Sequence, residues 1–427
     1  MPEPRRNPTS AAAIVPDDAL PPPRSASPGL APRRRTQTLT VLAVGLMLAM
    51  TTWFSTSAVL PTLTDRWALS TGSASVLIIV LQLGFVVGAL VSAALGLADR
   101  IAPPTLVLGA ALLAAAANAA IVLADAYAPA VALRFLTGVF LAGVYPPAMK
   151  LVASWFRAGR GFAMGVLIAA LTVGSAAPHL VNAVGGADWD SVLVATSLLT
   201  VLGGGIVGVF VAVGPFPFPA TDFRWREAWV ALRDRDVRIS TVAYFGHMWE
   251  LYAMWAWVPL FLADRFDADG SGLDPSAVAF VVIAAGAVGS VIAGRWGDRV
   301  GKARAAMAAM LMSGTIALII GAPGIPLSVI VVLAVLWGVS VVADSAQFSA
   351  IVSERCDQRF VGTALTVQLA LGFLLTVATI WIVPWLRDHV SWWAAFAVLA
   401  PGPLLGAWAL RRLGPADSVD DGSPPTA

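Results

Sequence analysis

SASVLIIVLQLGFVVGALVSAALGL, residues 73–97, runs for 25 residues without a charged side chain. As a helix rising 1.5 Å per residue it is about 37 Å long, enough to cross a hydrocarbon core of about 30 Å. It ends against Asp99-Arg100, the first charges after it. Outward from this stretch the chain shows eleven more runs of similar character: 39–63, 104–124, 130–153, 161–184, 190–213, 239–262, 277–297, 303–321, 327–351, 361–385 and 392–411. The composition agrees. Of 427 residues 58% are hydrophobic and 12% charged, and the mean hydropathy is +0.80. A soluble domain carries about 25% charged residues, so a soluble enzyme of this length is excluded. The pattern predicts an all-α membrane protein with twelve transmembrane helices.

The ends read differently. Residues 1–36 are rich in Pro, Ser, Ala and Arg, and 413–427 in Pro, Asp and Ser, so both are expected to be disordered tails. The first apolar run is too long, and lacks the small-residue cleavage site, for a removed signal peptide. A single cysteine, Cys356, excludes a disulfide framework, a zinc ribbon and an iron–sulfur cluster. His179, His247 and His389 are the full set of histidines and leave little for a metal site. No cofactor and no nucleic-acid partner are expected.

An even number of spans puts both termini on one side. Counting alternate loops, 22 of the 27 Lys and Arg residues fall on that side, three (Arg66, Arg265, Arg387) on the other, and two (Arg134, Lys150) within a span. This bias predicts cytoplasmic termini, in a multi-pass protein of the cell (inner or plasma) membrane. The longest internal polar stretch, 214–238, opens with Gly-Pro-Phe-Pro-Phe-Pro, which cannot continue a helix. Beyond it Trp225, Trp229 and Leu232 recur at helical spacing among arginines, as in a helix lying in the membrane interface. The stretch divides the chain into six-span halves, 37–213 and 239–412.

The halves echo each other near an offset of 199 residues. Pro61-x-Leu63-x-Asp65-Arg66-Trp67 corresponds to Pro259-x-Phe261-x-x-Asp264-Arg265-Phe266, Asp99-Arg100 to Asp298-Arg299, and Gly138-Val139 to Gly338-Val339. Several echoes at one offset argue for two pseudo-symmetric six-helix bundles with a cleft between them near the midplane.

Gly294-Arg-Trp-Gly-Asp298-Arg299-Val-Gly301-Lys302-Ala-Arg304 resembles the signature loop G-x-x-x-D-R-x-G-R/K of the major facilitator superfamily. The first-half copy around Asp99 and Arg100 is degraded: its first glycine is displaced and its second is replaced by alanine. Arg134-Phe-Leu-Thr-Gly138 resembles the superfamily's R-x-x-x-G motif, whose arginine takes part in ion coupling in some members. Gly165, Gly174, Pro178 and Gly185-Gly186 resemble the Gly/Pro pattern of its antiporters, with the proline early and the glycine pair late. The resemblance covers residues 39–412. It implies the superfamily fold, alternating access by a monomer, and a lock on the cytoplasmic side made by Asp298, Arg299, Gly294 and Gly301 with Asp99 and Arg100. It also implies that spans one, four, seven and ten line the cavity.

A charge inside a span is expensive and so marks a functional candidate. Arg134 sits near the outer end of span four, where it serves coupling or snorkels to the headgroups. In span seven His247 and Glu250 are three apart and share a helix face. Glu250 is about 16 Å along the helix, close to mid-membrane, where low dielectric disfavours an anion and suits a group that takes up and releases a proton. A structural Glu250–His247 hydrogen bond is the bland alternative. Asp344 in span ten is a second coupling candidate, beside Ser345 and Gln347. Trp249, Tyr252 and Tyr145 are expected to line the cavity with them.

These features point to a secondary active transporter of a small solute, with proton coupling the most economical reading; a drug or metabolite efflux antiporter of the same fold is the alternative. A polytopic membrane enzyme lacks support: there is no H-E-x-x-H, G-x-S-x-G or G-x-x-x-x-G-K-[ST]. A sensor on a transporter scaffold usually carries a long soluble extension. Spans two and eight lack the arginines of nitrate/nitrite members, span one lacks the acid common in proton-coupled drug exporters, and the sugar-porter signature after span six is missing. A small polar or weakly charged solute remains, moving in either direction: Arg134 suits an anion, Glu250 and Asp344 a cation or a proton.

Overall fold

The computed structural model describes residues 30–156, 159–185, 188–216, 233–356 and 361–413. Among these, every regular element is helical. Ten helices are long and apolar enough to cross a membrane: Thr71–Ala94, Pro103–Leu123, Tyr127–Trp155, Arg160–Val184, Trp189–Phe210, Pro275–Val300, Lys302–Ile319, Leu327–Arg355, Thr363–His389 and Trp392–Leu410. They are expected spans two to six and eight to twelve.

The remaining two expected spans are helical but atypical. The first is broken into Leu30–Ala49, Ser55–Ala58 and Leu60–Trp67, not the single helix expected over 39–63. It also begins inside the stretch read as a tail. The seventh, Arg235–Asp269, is one helix of 35 residues. Asp234 starts it by accepting the N–H groups of Asp236 and Val237, and Gly270 ends it in the left-handed region. Its middle carries His247, Glu250, Tyr252 and several tryptophans, which lower its hydropathy without shortening it. Residues 1–29, 217–232 and 414–427 lie outside the described residues, and with them most of the two expected tails and the expected interfacial helix.

Helix pairing follows the sequence repeat. Span two packs on four as eight does on ten, three on six as nine on twelve, and one on six as seven on twelve. The halves meet along spans two and eleven and along spans five and eight, which exchange when the halves are exchanged. The closest approaches repeat as well. A Cβ at Gly138 would overlap the Leu81 carbonyl, and one at Gly338 the Val282 carbonyl. Gly88 abuts the Val139 carbonyl and Gly289 that of Val339, while Gly203 abuts Gly45 and Gly402 abuts Gly246. The weak Gly-Val echo in the sequence is thus two equivalent helix contacts, of the small-residue kind that lets backbones approach inside a membrane. Large apolar side chains such as Leu198, Val209, Phe210 and Trp408 are exposed on the outer surface, as expected where lipid replaces water.

Both halves also bend their fourth helix. Tyr127–Leu141 gives way to Tyr145–Trp155, and Leu327–Ala343 to Ser345–Arg355. The bends place Tyr145 and Asp344 at corresponding breaks.

The glycine contacts make a direct prediction. Gly138→Val and Gly338→Val force the paired helices apart and destabilise by about 1–3 kcal/mol each, the usual cost of overpacking. Gly205→Val, where a Cβ meets nothing within 4 Å, leaves the apparent melting temperature in detergent unchanged. Thermal unfolding of the three variants checks this.

Candidate functional site

The break in the first span leaves backbone carbonyls without helical partners in a place that excludes water. Arg134, on the fourth span and 1% exposed, supplies the donors. Its Nη1 donates to the Thr52 carbonyl at 3.1 Å and its Nη2 to the Trp53 carbonyl at 2.8 Å. Nη1 also lies 3.4 Å from Ser55 Oγ and 3.4 Å from Asn118 Oδ1. Asn118 is itself held by Ser55 Oγ at 2.7 Å, and it donates to Ser197 Oγ at 3.0 Å and the Leu193 carbonyl at 3.2 Å. Spans one, three, four and six are thereby tied by one polar network. Arg134 does not snorkel, and no carboxylate is paired with it among the described residues. Carbonyl dipoles hold its charge, because the guanidinium fork matches two adjacent carbonyls of an opened helix.

The second half concentrates acids instead. Glu250, 1% exposed, accepts the Trp337 indole N–H at Oε1 (2.6 Å) and the Ser313 hydroxyl at Oε2 (2.6 Å). Its partners are thus on spans nine and ten. His247 does not bond it. The Nε2 atom of His247 lies 2.7 Å from Ser345 Oγ. Its Nδ1 lies 2.8 Å from Asp344 Oδ1, within ion-pair distance. In place of the alternative Glu250–His247 hydrogen bond there are two neighbouring clusters. Both use the tenth span, which the sharing of one helix face did not reveal. Ser313 and Trp337 escaped the sequence reading; Trp337 carried one signal, its position just before the repeated Gly338.

Rings fill the middle of the molecule. Trp53 and Phe54 of the first span and Phe85 of the second meet Tyr252 and Trp255 of the seventh and Phe373 of the eleventh. Centroid separations are 4.5 Å for Phe85–Phe373, 4.9 Å for Tyr252–Phe373, 5.6 Å for Trp53–Phe373, 5.7 Å for Phe54–Trp255 and 5.8 Å for Trp53–Tyr252. Tyr252 thus lies where the halves meet. Tyr145, from the other half, is close enough to Tyr252 and Tyr244 for their phenols to interact electrostatically. Trp249 is a correction: its indole donates to the Val398 carbonyl at 2.9 Å and its ring packs on Gly402, so it faces the twelfth span and not the space between halves. Gln347 packs its amide against Gly297 of the eighth span, and Ser345 is occupied by His247.

The two ends of the interface carry different contacts. We call the side holding residues 30 and 413 the near side. There Asp298 Oδ2 accepts the Phe162 N–H at 3.2 Å, so the acid engages the start of the fifth span, where the helix dipole favours a negative charge. A Cβ at Gly161 would fall on the Asp298 carboxylate, so this approach requires glycine. Arg295 lies over the Phe162 ring at 4.5 Å, a second tie between spans eight and five that the sequence reading did not foresee. Gly301 turns the loop at φ +98°, a conformation L side chains rarely adopt, and Gly294 lies against Gly161 and Phe162. Arg299 and Arg100 are exposed; the Asp99 side chain lies outside the described residues. Lys302 pairs with Glu354 at 2.5 Å, beside a recess of about 320 Å³ lined by Arg160, Gly161, Asp298 and Ser353 among others. On the far side Asn182 donates to the Ala58 carbonyl at 3.1 Å and to Ser276 Oγ at 3.0 Å, and Thr71 donates to Asp388 at 2.7 Å. His179, one turn from Asn182, is buried with its Nε2 unpartnered.

Comparison with known proteins agrees with this architecture. The family model described as Major Facilitator Superfamily matches residues 42–289, more than half of the chain. A crystal structure of the human organic anion transporter MFSD10 (TETRAN) superposes with a TM-score of 0.68 at 17% identity, covering 89% of this chain and 99% of that one. The proton:xylose symporter XylE bound to 6-bromo-6-deoxy-D-glucose gives a TM-score of 0.68 at 14% identity, covering 90% and 97%. At such identities the likeness is one of fold. No curated protein sequence matches the chain.

The hold of Arg134 on the broken helix predicts an order of stability. Arg134→Met strands the buried Trp53 carbonyl, about 1–3 kcal/mol, and takes one donor from the Thr52 carbonyl, which keeps the Ser55 hydroxyl. Arg134→Lys, with a single ammonium head, satisfies fewer of them than the fork does. Apparent melting temperatures in detergent fall in the order unsubstituted, Arg134→Lys, Arg134→Met.

Proposed function

Because the chain belongs to the major facilitator superfamily, we propose that it is a secondary active carrier of a small molecule, working by alternating access and coupled to protons. It is a multi-pass membrane protein. The charge bias of its loops supports cytoplasmic termini in the cell membrane, with the near side cytoplasmic, and we take the monomer as the working unit. In this reading Asp298, with Gly161 and Arg295, closes the cytoplasmic side, and the Asn182–Ser276 and Thr71–Asp388 contacts close the outer side.

One observation carries the coupling proposal: two buried carboxyl groups, Glu250 and Asp344, share the second half with one buried imidazole, His247. No Lys or Arg is paired with either acid among the described residues. Buried charges are costly unless paired. One ion pair plus one neutral carboxyl is the least costly arrangement, and a change in water access during the cycle then moves a proton on or off the cluster. Glu250 serves as the carrier of that proton, Trp337 and Ser313 fixing its position, while His247, Asp344 and Ser345 form the adjoining relay.

The test uses purified protein in liposomes with an imposed pH gradient and a library of metabolites and drugs. Glu250→Gln keeps the shape, its amide oxygen still accepting from Trp337 and its amide N–H donating to Ser313 Oγ in place of the bond it accepted, but cannot ionise. Gradient-driven uptake is expected to fall at least about tenfold, the scale set by losing one essential ionisable group, while exchange of solute at equal pH persists. Unchanged gradient-driven uptake in Glu250→Gln would remove Glu250 from the coupling path.

A further inference from the structure

At mid-depth the side chains where the two halves touch are rings, drawn from four helices. Within and beside this cluster stand polar atoms with no partner: the indole N–H groups of Trp53 and Trp255, both amide atoms of Gln82, and the hydroxyls of Thr52 and Thr56. Trp255 and Gln82 are 0% exposed and Trp53 is 2% exposed. Gln82 lies three residues from Phe85 on one continuous helix and so shares a face with a ring of the cluster; Thr56 follows Trp53 just past the opened turn. Buried donors are normally satisfied. Here three N–H-bearing groups, those of Trp53, Trp255 and Gln82, lack an acceptor.

The charged groups of the interior are engaged elsewhere. Both Nη atoms of Arg134 are held by the first-span carbonyls, its Nε alone lacking a partner, Glu250 is held by Trp337 and Ser313, and His247 lies against Asp344 and Ser345. An anionic ligand at the ring cluster finds no free cation. A cation finds no free carboxylate and meets the positive ends of indole and amide N–H bonds. When the halves part on either side, Trp53, Phe54 and Phe85 separate from Tyr252, Trp255 and Phe373, and aromatic faces lose their partners. A flat aromatic molecule restores that stacking, and acceptor atoms on its rim satisfy the stranded donors.

We propose that this ring cluster is the ligand site and that its ligand is an uncharged planar heteroaromatic molecule bearing hydrogen-bond acceptors. The inference rests on the carrier reading above and names its substrate class. Trp255 and Gln82 are specificity-determining residues: one supplies a donor on a stacking ring, the other a donor and an acceptor beside it.

The test is direct binding to the full-length protein in detergent, by calorimetry, of three bicyclic probes that differ mainly in charge: neutral 2-quinolinone, cationic N-methylquinolinium and anionic 2-naphthoate. The neutral probe is expected to bind at least about tenfold more tightly than either ion. Trp255→Phe, which keeps the ring and removes the N–H, and Gln82→Leu are each expected to weaken it about tenfold, the effect of one buried hydrogen bond. The charge series on the unsubstituted protein stands even if a variant does not fold. Binding of either ion as tightly as the neutral probe, no binding of the neutral probe, or equal binding by folded Trp255→Phe and Gln82→Leu would each overturn the proposal. Transport separates it from the carrier reading. Binding of 2-quinolinone without flux of any solute in liposomes sinks the carrier and keeps the site. Gradient-driven flux with a preference for 2-naphthoate sinks the site's chemistry and keeps the carrier.

Discussion

A carbonyl group inside a bilayer has no water to turn to, and the opened first span leaves that of Trp53 needing a donor and that of Thr52 with only Ser55 beside it. Arg134 meets that need, and much of the first half is arranged around it. Asn118 and Ser55 crowd the same guanidinium, and Ser197 fixes Asn118. The seventh span, which corresponds to the first, stays a continuous helix and satisfies its own backbone. Its polar load sits in side chains, Glu250 and His247, whose partners come from spans nine and ten. The two halves thus share a skeleton but divide the electrostatics: a cation held by backbone in one, acids held by side chains in the other.

That division shapes what the interface can do. With the ionisable groups of the interior committed inside each half, the middle of the surface between halves is left to rings and neutral polar groups. Ring faces part and rejoin without moving a charge out of its cage. The contacts at the two ends are of the same modest kind, an acid on a helix start on one side and single hydrogen bonds from Asn182 and Thr71 on the other. Neither is a buried multi-charge lock, so either can open at small cost while the glycine-lined pairs within each half keep it rigid.

Much of this was legible in residue order. Ten spans announced themselves by length and hydropathy alone. The Gly138-Val139 and Gly338-Val339 echo marked a real pair of equivalent contacts, because close backbone approach tolerates almost no other side chain. The break in the first span was not legible: Thr51 to Ser57 reads as a helix with hydroxyls, and its opening depends on a guanidinium from a helix about 80 residues away, a spacing no local periodicity encodes. The same limit governs the site. Spacing placed His247 and Glu250 on one face, but which neighbour each meets is a tertiary fact. Trp249 and Tyr252 are also three apart, yet the border between the twelfth span and the first half runs between them, so one was misassigned and the other was not.

The central claim is that two rigid halves rock about the ring cluster. Pulsed electron–electron resonance measures it most directly, on a Cys356→Ser background with exposed positions labelled in each half: Asp65→Cys with Asp267→Cys on the far side, and Ala102→Cys with Arg304→Cys on the near side. The account predicts two distance populations at each pair, shifting in opposite senses as pH is lowered, so that one side widens while the other narrows. A single fixed distance at both pairs, or both sides widening together, would contradict it.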